Sequence, residues 1–261
     1  MRGSTFILAA AITALLGGCS RSAPVDVPPL DAAALAFQWN AWGGDAGGSR
    51  FAPLTQITPA NVAALKPAWT FHTGALAKGW ETEGKLTFEA TPLFVDGTLY
   101  FSTATGEVFA LDAATGTQRW KFDAHVDGSE DRSELASRGV TWWRDPAAAA
   151  GTTCATRIFF GTVDARLIAL DAATGQPCEG FGTHGQLQLA AHLLRDSDKG
   201  DYEFTSPPVV DGDTLILGSS IGDNYSAANA LGVVRAFDAR TGALRWHWNQ
   251  IGRASCRERV C

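Results

Sequence analysis

Hydrophobic residues along this chain come in short runs rich in Val, Ile, Leu, Phe and Thr. Gly, Asp or Pro closes each run, and no helical period carries from one to the next. The runs fall into three sets. The first holds EATPLFV (89–95), TLYFST (98–103) and EVFALD (107–112). The second holds RGVTWW (138–143), RIFFGT (157–162) and RLIALD (166–171), and the third TSPPVVD (205–211), TLILGSS (214–220) and GVVRAFD (232–238). Each set ends in one signature: ALDAATGTQRW at 110–120, AFDARTGALRW at 236–246, and ALDAATG at 169–175 with Glu179 where Trp is expected. Gly supplies the positive φ of such a turn, Asp and Thr bond local backbone, and the Trp opens a fourth strand with a large ring to bury. Asp112, Asp171 and Asp238 therefore read as structural. Asp-Gly at 96–97 and 211–212 marks the first hairpin of two sets.

Four short antiparallel strands per repeat make a β-propeller blade, so the pattern predicts an all-β fold with about three blades. Residues 66–74, KPAWTFHTG, resemble only the end of a repeat, as in RWKFDA at 119–124. A last strand without its predecessors leaves an edge unpaired, and closed propellers often build one blade from both termini. The segment thus reads as a closing strand whose partners belong to the far C-terminal end of a longer chain.

The ends carry other signals. Met1-Arg2, the apolar stretch Phe6 to Leu16 and Leu16-Gly17-Gly18-Cys19 have the layout of a secretory signal, too short to cross a bilayer as a helix. The small residues before the cysteine resemble a bacterial lipobox. This predicts a lipoprotein signal peptide over 1–18 and a lipidated Cys19, the alternative being ordinary cleavage near Gly18. Ser20 favours the outer membrane, so the expected location is the periplasmic side of a bacterial envelope, lipid-anchored. A linker over 19–38 leads to a partial propeller over 39–250. Residues 251–261, IGRASCRERVC, break from the β pattern and match the translation of a common sequencing-adaptor read-through, and are set aside from fold reasoning.

Charge narrows the partners. Twenty-one Lys and Arg face 27 Asp and Glu, a net −6, and the tail set aside holds three of the arginines. No basic track follows a phosphate backbone, which argues against nucleic acid. Of the five cysteines, Cys154 and Cys178 remain once Cys19, Cys256 and Cys261 are set aside. In an exported protein they read as a disulfide pair, and two thiols are too few for a metal site.

If the first run of each set lines the propeller axis, Glu89, Arg138 and Thr205 begin equivalent strands and share one rim. The second strand returns to that rim, where the third set carries Ser219-Ser220-Ile221-Gly222-Asp223-Asn224. Inter-blade insertions over 124–137 and 182–204 open on the same side and roof it.

At these residues a resemblance becomes specific. FEATPLFVDGTLY, SRGVTWW, RIFFGTVDARLIALDAATGQPC, TSPPVV and GSSIGDN resemble segments of the pyrroloquinoline-quinone (PQQ) dehydrogenases, most of all the membrane glucose dehydrogenase branch. WGGDAGGSRFAPLTQITPANVAALKPAWTFHTG (42–74) is similar to that family's opening segment. The resemblance spans about 39–249 and implies an eight-bladed quinoprotein propeller with PQQ and Ca²⁺ in its axial channel. By resemblance, Glu89 and Arg138 pair and hold a PQQ carboxylate, and Thr205 and Ser220 hydrogen-bond the cofactor. Asp223 falls where the family places a carboxylate on the metal, with Asn224 beside it as a second ligand. The bland readings are a plain ion pair, two strand-end hydroxyls and a turn. The implied reaction is Ca²⁺-assisted hydride transfer from an alcohol to PQQ. The family's catalytic aspartate and aromatic floor lie beyond Gln250, so no catalytic residue is named here.

Methanol and ethanol dehydrogenases of the family carry adjacent cysteines shortly before the arginine matched by Arg138. Arg132-Ser133 stand at that place here, favouring a sugar or polyol substrate. A lipid anchor in place of the N-terminal membrane helices of the typical glucose dehydrogenase leaves ubiquinone or a cytochrome as electron acceptor. No Cys-x-x-Cys-His haem signature occurs. The competing reading is a non-enzymatic lipoprotein scaffold of outer-membrane barrel assembly, which shares the lipobox and the repeat turn. A scaffold has no need of Glu, Arg, Thr and Asp-Asn on one rim. A quinone- or sugar-binding module without turnover is the third class.

Overall fold

Strands form where the runs predicted them. In a computed structural model describing residues 36–249 apart from 46, 81–85, 130, 131, 133, 134, 191–201, 222–229 and 231, three antiparallel four-stranded sheets follow one another. The first comprises β1 (Leu93–Val95), β2 (Thr98–Ser102), β3 (Glu107–Asp112) and β4 (Gln118–Asp123), in that order. The second comprises β5 (Thr141–Arg144), β6 (Thr156–Gly161), β7 (Arg166–Asp171) and β8 (Gln186–Gln188). The third comprises β10 (Val209–Asp211), β11 (Thr214–Leu217), β13 (Val233–Asp238) and β14 (Leu244–Asn249). These are three blades of a propeller. A separate two-residue ladder pairs β9 (Tyr202–Glu203) with β12 (Ser220–Ile221), a feature the run pattern does not announce.

The repeated turn has one geometry in all three blades. Oδ1 of Asp112 accepts from the backbone N–H groups of Ala114 and Thr115 and from the Thr115 hydroxyl. Asp171 and Asp238 do the same for Ala173 and Thr174, and for Arg240 and Thr241. Gly116, Gly175 and Gly242 close the turns at φ 71°, 73° and 74°, in the left-handed region.

Blades stack through two cores. Leu93, Val108, Ile158, Phe160, Ile168 and Leu170 fill the space between the first and second blades. Phe159, Leu167, Ala169, Phe204, Leu215 and Phe237 fill that between the second and third. The period of two thus sends alternate residues of β6 and β7 to opposite neighbours, which is why these strands read as unbroken apolar runs.

Tryptophans dock on the turn glycines of the first and second blades. The Trp120 ring lies against Gly175 of the next blade, where an added Cβ would come within 2.5 Å, and its Nε1 donates to Ala172 O at 3.0 Å. Trp69 docks identically on the first blade, 2.5 Å from the Cβ position of Gly116, with Nε1 donating to Ala113 O at 3.1 Å. Residues 66–74 therefore occupy the place of a preceding blade's outer strand. Among the described residues they have no sheet partner and are not hydrogen-bonded as a strand, in keeping with a closing strand whose partners belong to a later part of a longer chain. Glu179 is not the counterpart of the tryptophan. In the second blade Leu187, from the later strand β8, meets Gly242, 3.1 Å from its Cβ position.

Counting seven residues on from each turn Asp gives Arg119, Cys178 and Arg245. Arg119 and Arg245 bridge their own Asp at 2.8 and 2.7 Å. Cys178 instead bonds Cys154, as expected for the pair, and Asp171 Oδ2 accepts from Cys154 N. The disulfide stands where the other blades have an ion pair.

Candidate functional site

The rim is built by backbone before any side chain is considered. The strands begin at Leu93, Thr141 and Val209, a few residues after Glu89, Arg138 and Thr205. This corrects the expectation that those three residues open their strands. Their segments bond sideways, blade to blade: Thr91 N donates to Arg138 O at 3.1 Å, and Arg138 N to Thr205 O at 2.7 Å. Earlier in the first lead-in, Thr87 N donates to Leu135 O at 3.1 Å, beside a parallel bridge between Leu86 and Leu135. Gly139, at φ 132°, permits this approach, since a Cβ there would lie 3.0 Å from Thr91 O. Trp39 pairs with Phe94 through two backbone hydrogen bonds of 2.8 and 2.9 Å, covering the inner edge of β1.

On this frame the structure brings Glu89, Arg138 and Thr205 together. Arg138 Nε lies 3.2 Å from Glu89 Oε2, and its Nη1 donates to Thr205 Oγ1 at 2.6 Å. The Thr87 hydroxyl donates to the other Glu89 oxygen at 3.0 Å. Thr205 is buried, whereas Arg138 and Glu89 are about a third exposed, at 35% and 37% of their side chains. A guanidinium held by Glu89 and Thr205 and about a third exposed is an oriented positive group on the rim, suited to a planar carboxylate.

Ser220 is reached through the ladder, where it stands opposite Glu203, two residues before Thr205. Tyr202 and Phe204 belong to the core between the second and third blades. Alternation then sends Glu203 and Thr205 to the other face of the segment. Glu203 is fully buried, and sequence reasoning missed it. The signal was present in the alternation of Tyr-Glu-Phe-Thr over 202–205. Also missed were the Ser102 and Ser137 hydroxyls, 2.6 Å apart and buried, which tie the end of β2 to the residue before Arg138. Asp223, Asn224 and Cys19 lie outside the described residues.

One further carboxylate sits on the rim. Glu107, at the β2–β3 turn, is 1% exposed and receives Lys121 Nζ at 2.7 Å, with the Thr103 and Thr105 hydroxyls at 2.9 and 2.7 Å. Burial alone would raise its pKa, but Lys121, the two hydroxyls and Lys78 together hold it below the usual range. It is a saturated ion cluster with no valence left for a ligand. Among the described residues no group of three His, Cys, Asp or Glu side chains converges for a metal.

The chain as a whole is similar to known proteins. The family model described as "PQQ: Glucose/ethanol/alcohol dehydrogenase, beta-propeller domain" matches residues 39–259. The quinoprotein glucose dehydrogenase of Escherichia coli K12 is 40% identical over 80% of this chain and 26% of its own length. The quinate/shikimate dehydrogenase (quinone) of Acinetobacter baylyi is 39% identical over 84% of this chain and 28% of its own. Among solved structures, the quinohemoprotein alcohol dehydrogenase of Comamonas testosteroni superposes with a TM-score of 0.61 at 29% identity, covering 82% of this chain and 27% of that one. The chain spans about a quarter of the length of the relatives it matches.

Proposed function

The chain belongs to the PQQ-type glucose/ethanol/alcohol dehydrogenase β-propeller family, and from that premise we propose that the full-length protein oxidises an alcohol group of a sugar or polyol, using PQQ with Ca²⁺. The observation that carries the reading is the Glu89–Arg138–Thr205 clamp, with its guanidinium oriented by a carboxylate and a hydroxyl and about a third exposed.

The donor set fits PQQ, a planar tricarboxylate. Arg138 supplies the counter-charge for one carboxylate. Glu89 holds the guanidinium in orientation, at the cost of placing a negative group nearby, and Thr205 fixes its other edge. Ser220, on β12, offers a hydroxyl to the same axial space. Asp223 and Asn224 follow closely and supply hard oxygen ligands for the cation. When bound, the quinone supplies the two-electron acceptor; this segment binds and orients, and the proton-accepting base comes from later blades. Relatives whose names specify glucose and quinate/shikimate, together with a glycerol dehydrogenase large subunit at 35% identity, support polyhydroxylated substrates as the class. We further infer a lipid anchor at Cys19 on the periplasmic side of the envelope and delivery of electrons to ubiquinone or a cytochrome. The scaffold alternative gives no reason for a cationic clamp on the axis.

The test is direct. Apo full-length protein, given PQQ and Ca²⁺, reduces a redox dye when offered aldoses and polyols, and Arg138→Ala lowers this at least tenfold at limiting PQQ, about 1.4 kcal/mol or more. Absence of sugar- or polyol-dependent reduction across the panel would sink the proposal.

A further inference from the structure

Arg132, Leu135, Ser137 and Arg138 between them reach all three blades. The Arg132 guanidinium, 5% exposed, donates from Nη1 to Val163 O at 2.7 Å, in the β6–β7 turn of the second blade. Its Nη2 reaches Asp127 O at 3.4 Å, on the exit from the first blade. Leu135 O accepts from Thr87 N, and the Thr87 hydroxyl in turn bonds Glu89. Ser137 bonds Ser102 at the end of β2, and Arg138 N bonds Thr205 O in the third blade. These four residues thus tie the three lead-ins to one another. A guanidinium this buried is costly to desolvate, and an aliphatic side chain would fill the volume more cheaply. The planar fork offers what an aliphatic chain lacks, two donors aimed at carbonyls of two different blades.

We propose that Arg132 is a positioning residue for the cofactor clamp: by pinning residues 127 and 163 to one guanidinium, it fixes the segment that aims Arg138 at an anionic ligand. The inference rests on the proposed function for the identity of that ligand, PQQ, but the pinning of the segment stands on its own. Loss of the fork frees the head of the segment, so Arg138 keeps its charge and loses its aim. Misalignment of a clamp by a fraction of an ångström to one ångström is felt as an order of magnitude or more.

The experiment uses the full-length apo protein and its Arg132→Gln and Arg132→Lys variants. Quenching of tryptophan fluorescence by added PQQ reads the dissociation constant well below the melting temperature. Amide hydrogen exchange without PQQ reads the segment itself. Arg132→Gln is expected to weaken PQQ binding about tenfold and to speed exchange at residues 135–140 and 205. Arg132→Lys, which keeps a cationic donor to Val163 O, recovers part of both. Wild-type PQQ affinity in folded Arg132→Gln would overturn the proposal. So would a uniform rise in exchange across all three blades with no rescue by lysine, the mark of general destabilisation. If the wild-type protein itself fails to bind PQQ, the proposed function falls, and the exchange of residues 135–140 still decides whether Arg132 pins them.

Discussion

Arg138 does its work through two edges at once, and this separates it from a lysine. An ammonium group is a single point and cannot span Glu89 Oε2 and Thr205 Oγ1 as the guanidinium does. Arg138→Lys should therefore lose most of the PQQ affinity, while Thr205→Val, which removes one charge-assisted hydrogen bond, costs about 1.5 kcal/mol of binding. Titration of the two variants with PQQ checks the order, and equal losses would contradict it. At the same scale, the Arg119 guanidinium beside Asp112, with Thr115 behind it, lowers that carboxylate from 3.8 to about 2. A carboxylate depressed on folding contributes stability at pH above its unfolded value, and this is lost as pH falls through about 2. Asn at 112 keeps the turn's carbonyl acceptor and drops only the charge. Urea midpoints of Asp112→Asn and wild type should then differ most near neutrality and converge toward pH 2. A gap that stays constant with pH would place the effect in the turn instead of the ion pair.

Elements were legible to the extent that local chemistry makes them. Asp-x-x-Thr-Gly writes its own turn, because the Asp and Thr side chains bond backbone two and three residues on. What a tryptophan docks against was not legible, since Trp120 and Gly175 meet across a blade boundary and nothing between them encodes the contact. The same reason hid Leu187. The spacing of the other repeats puts Glu179 at the tryptophan position, while β8 begins only at Gln186. The clamp was half visible: equivalent positions in three repeats brought Glu89, Arg138 and Thr205 to one rim, but their lateral backbone bonds have no local signature. Docking makes the glycines unequal. Alanine at 175 meets both a left-handed φ of 73° and the Trp120 ring at 2.5 Å, whereas alanine at 242 meets a similar φ and the milder crowding of Leu187 Cδ2 at 3.1 Å and Gly182 N at 3.2 Å, which shifts of a few tenths of an ångström relieve. Gly175→Ala should cost about 3 kcal/mol and Gly242→Ala about 1 kcal/mol; chemical denaturation of the full-length protein compares them, and a reversed order would refute the docking argument. Replacing Cys154 and Cys178 together by serine removes the second blade's substitute for an Arg–Asp pair, and about 3 kcal/mol should go with it.

A propeller blade is stable only when both faces are covered, and the three blades differ in this. The second is buried on both sides, so Phe159, Ile168 and Leu170 are each at most 1% exposed. The first turns Phe101, Phe109 and Leu111 toward Trp69 and Phe71, which cover them in part. The third presents Leu244, Trp246 and Trp248 on its outer strand, 55%, 44% and 57% exposed. Trp246 is the register equivalent of Trp120, whose ring is buried against a neighbour's turn, so this face has the form of half an interface. Within a protein about four times the matched length, later blades would cover it. A polypeptide of residues 39–249 alone should therefore bind a hydrophobic dye and self-associate as concentration rises. Trp246→Thr with Trp248→Thr keeps β propensity and removes most of the apolar area. The pair should cut dye binding by about half or more while leaving the near-ultraviolet dichroism of the buried Trp120 and Trp143. Dye binding unchanged by the substitutions would mean that the sticky surface lies elsewhere, with the exposed segment around Phe51 and Ile57, 72% and 61% exposed, as the next face to alter.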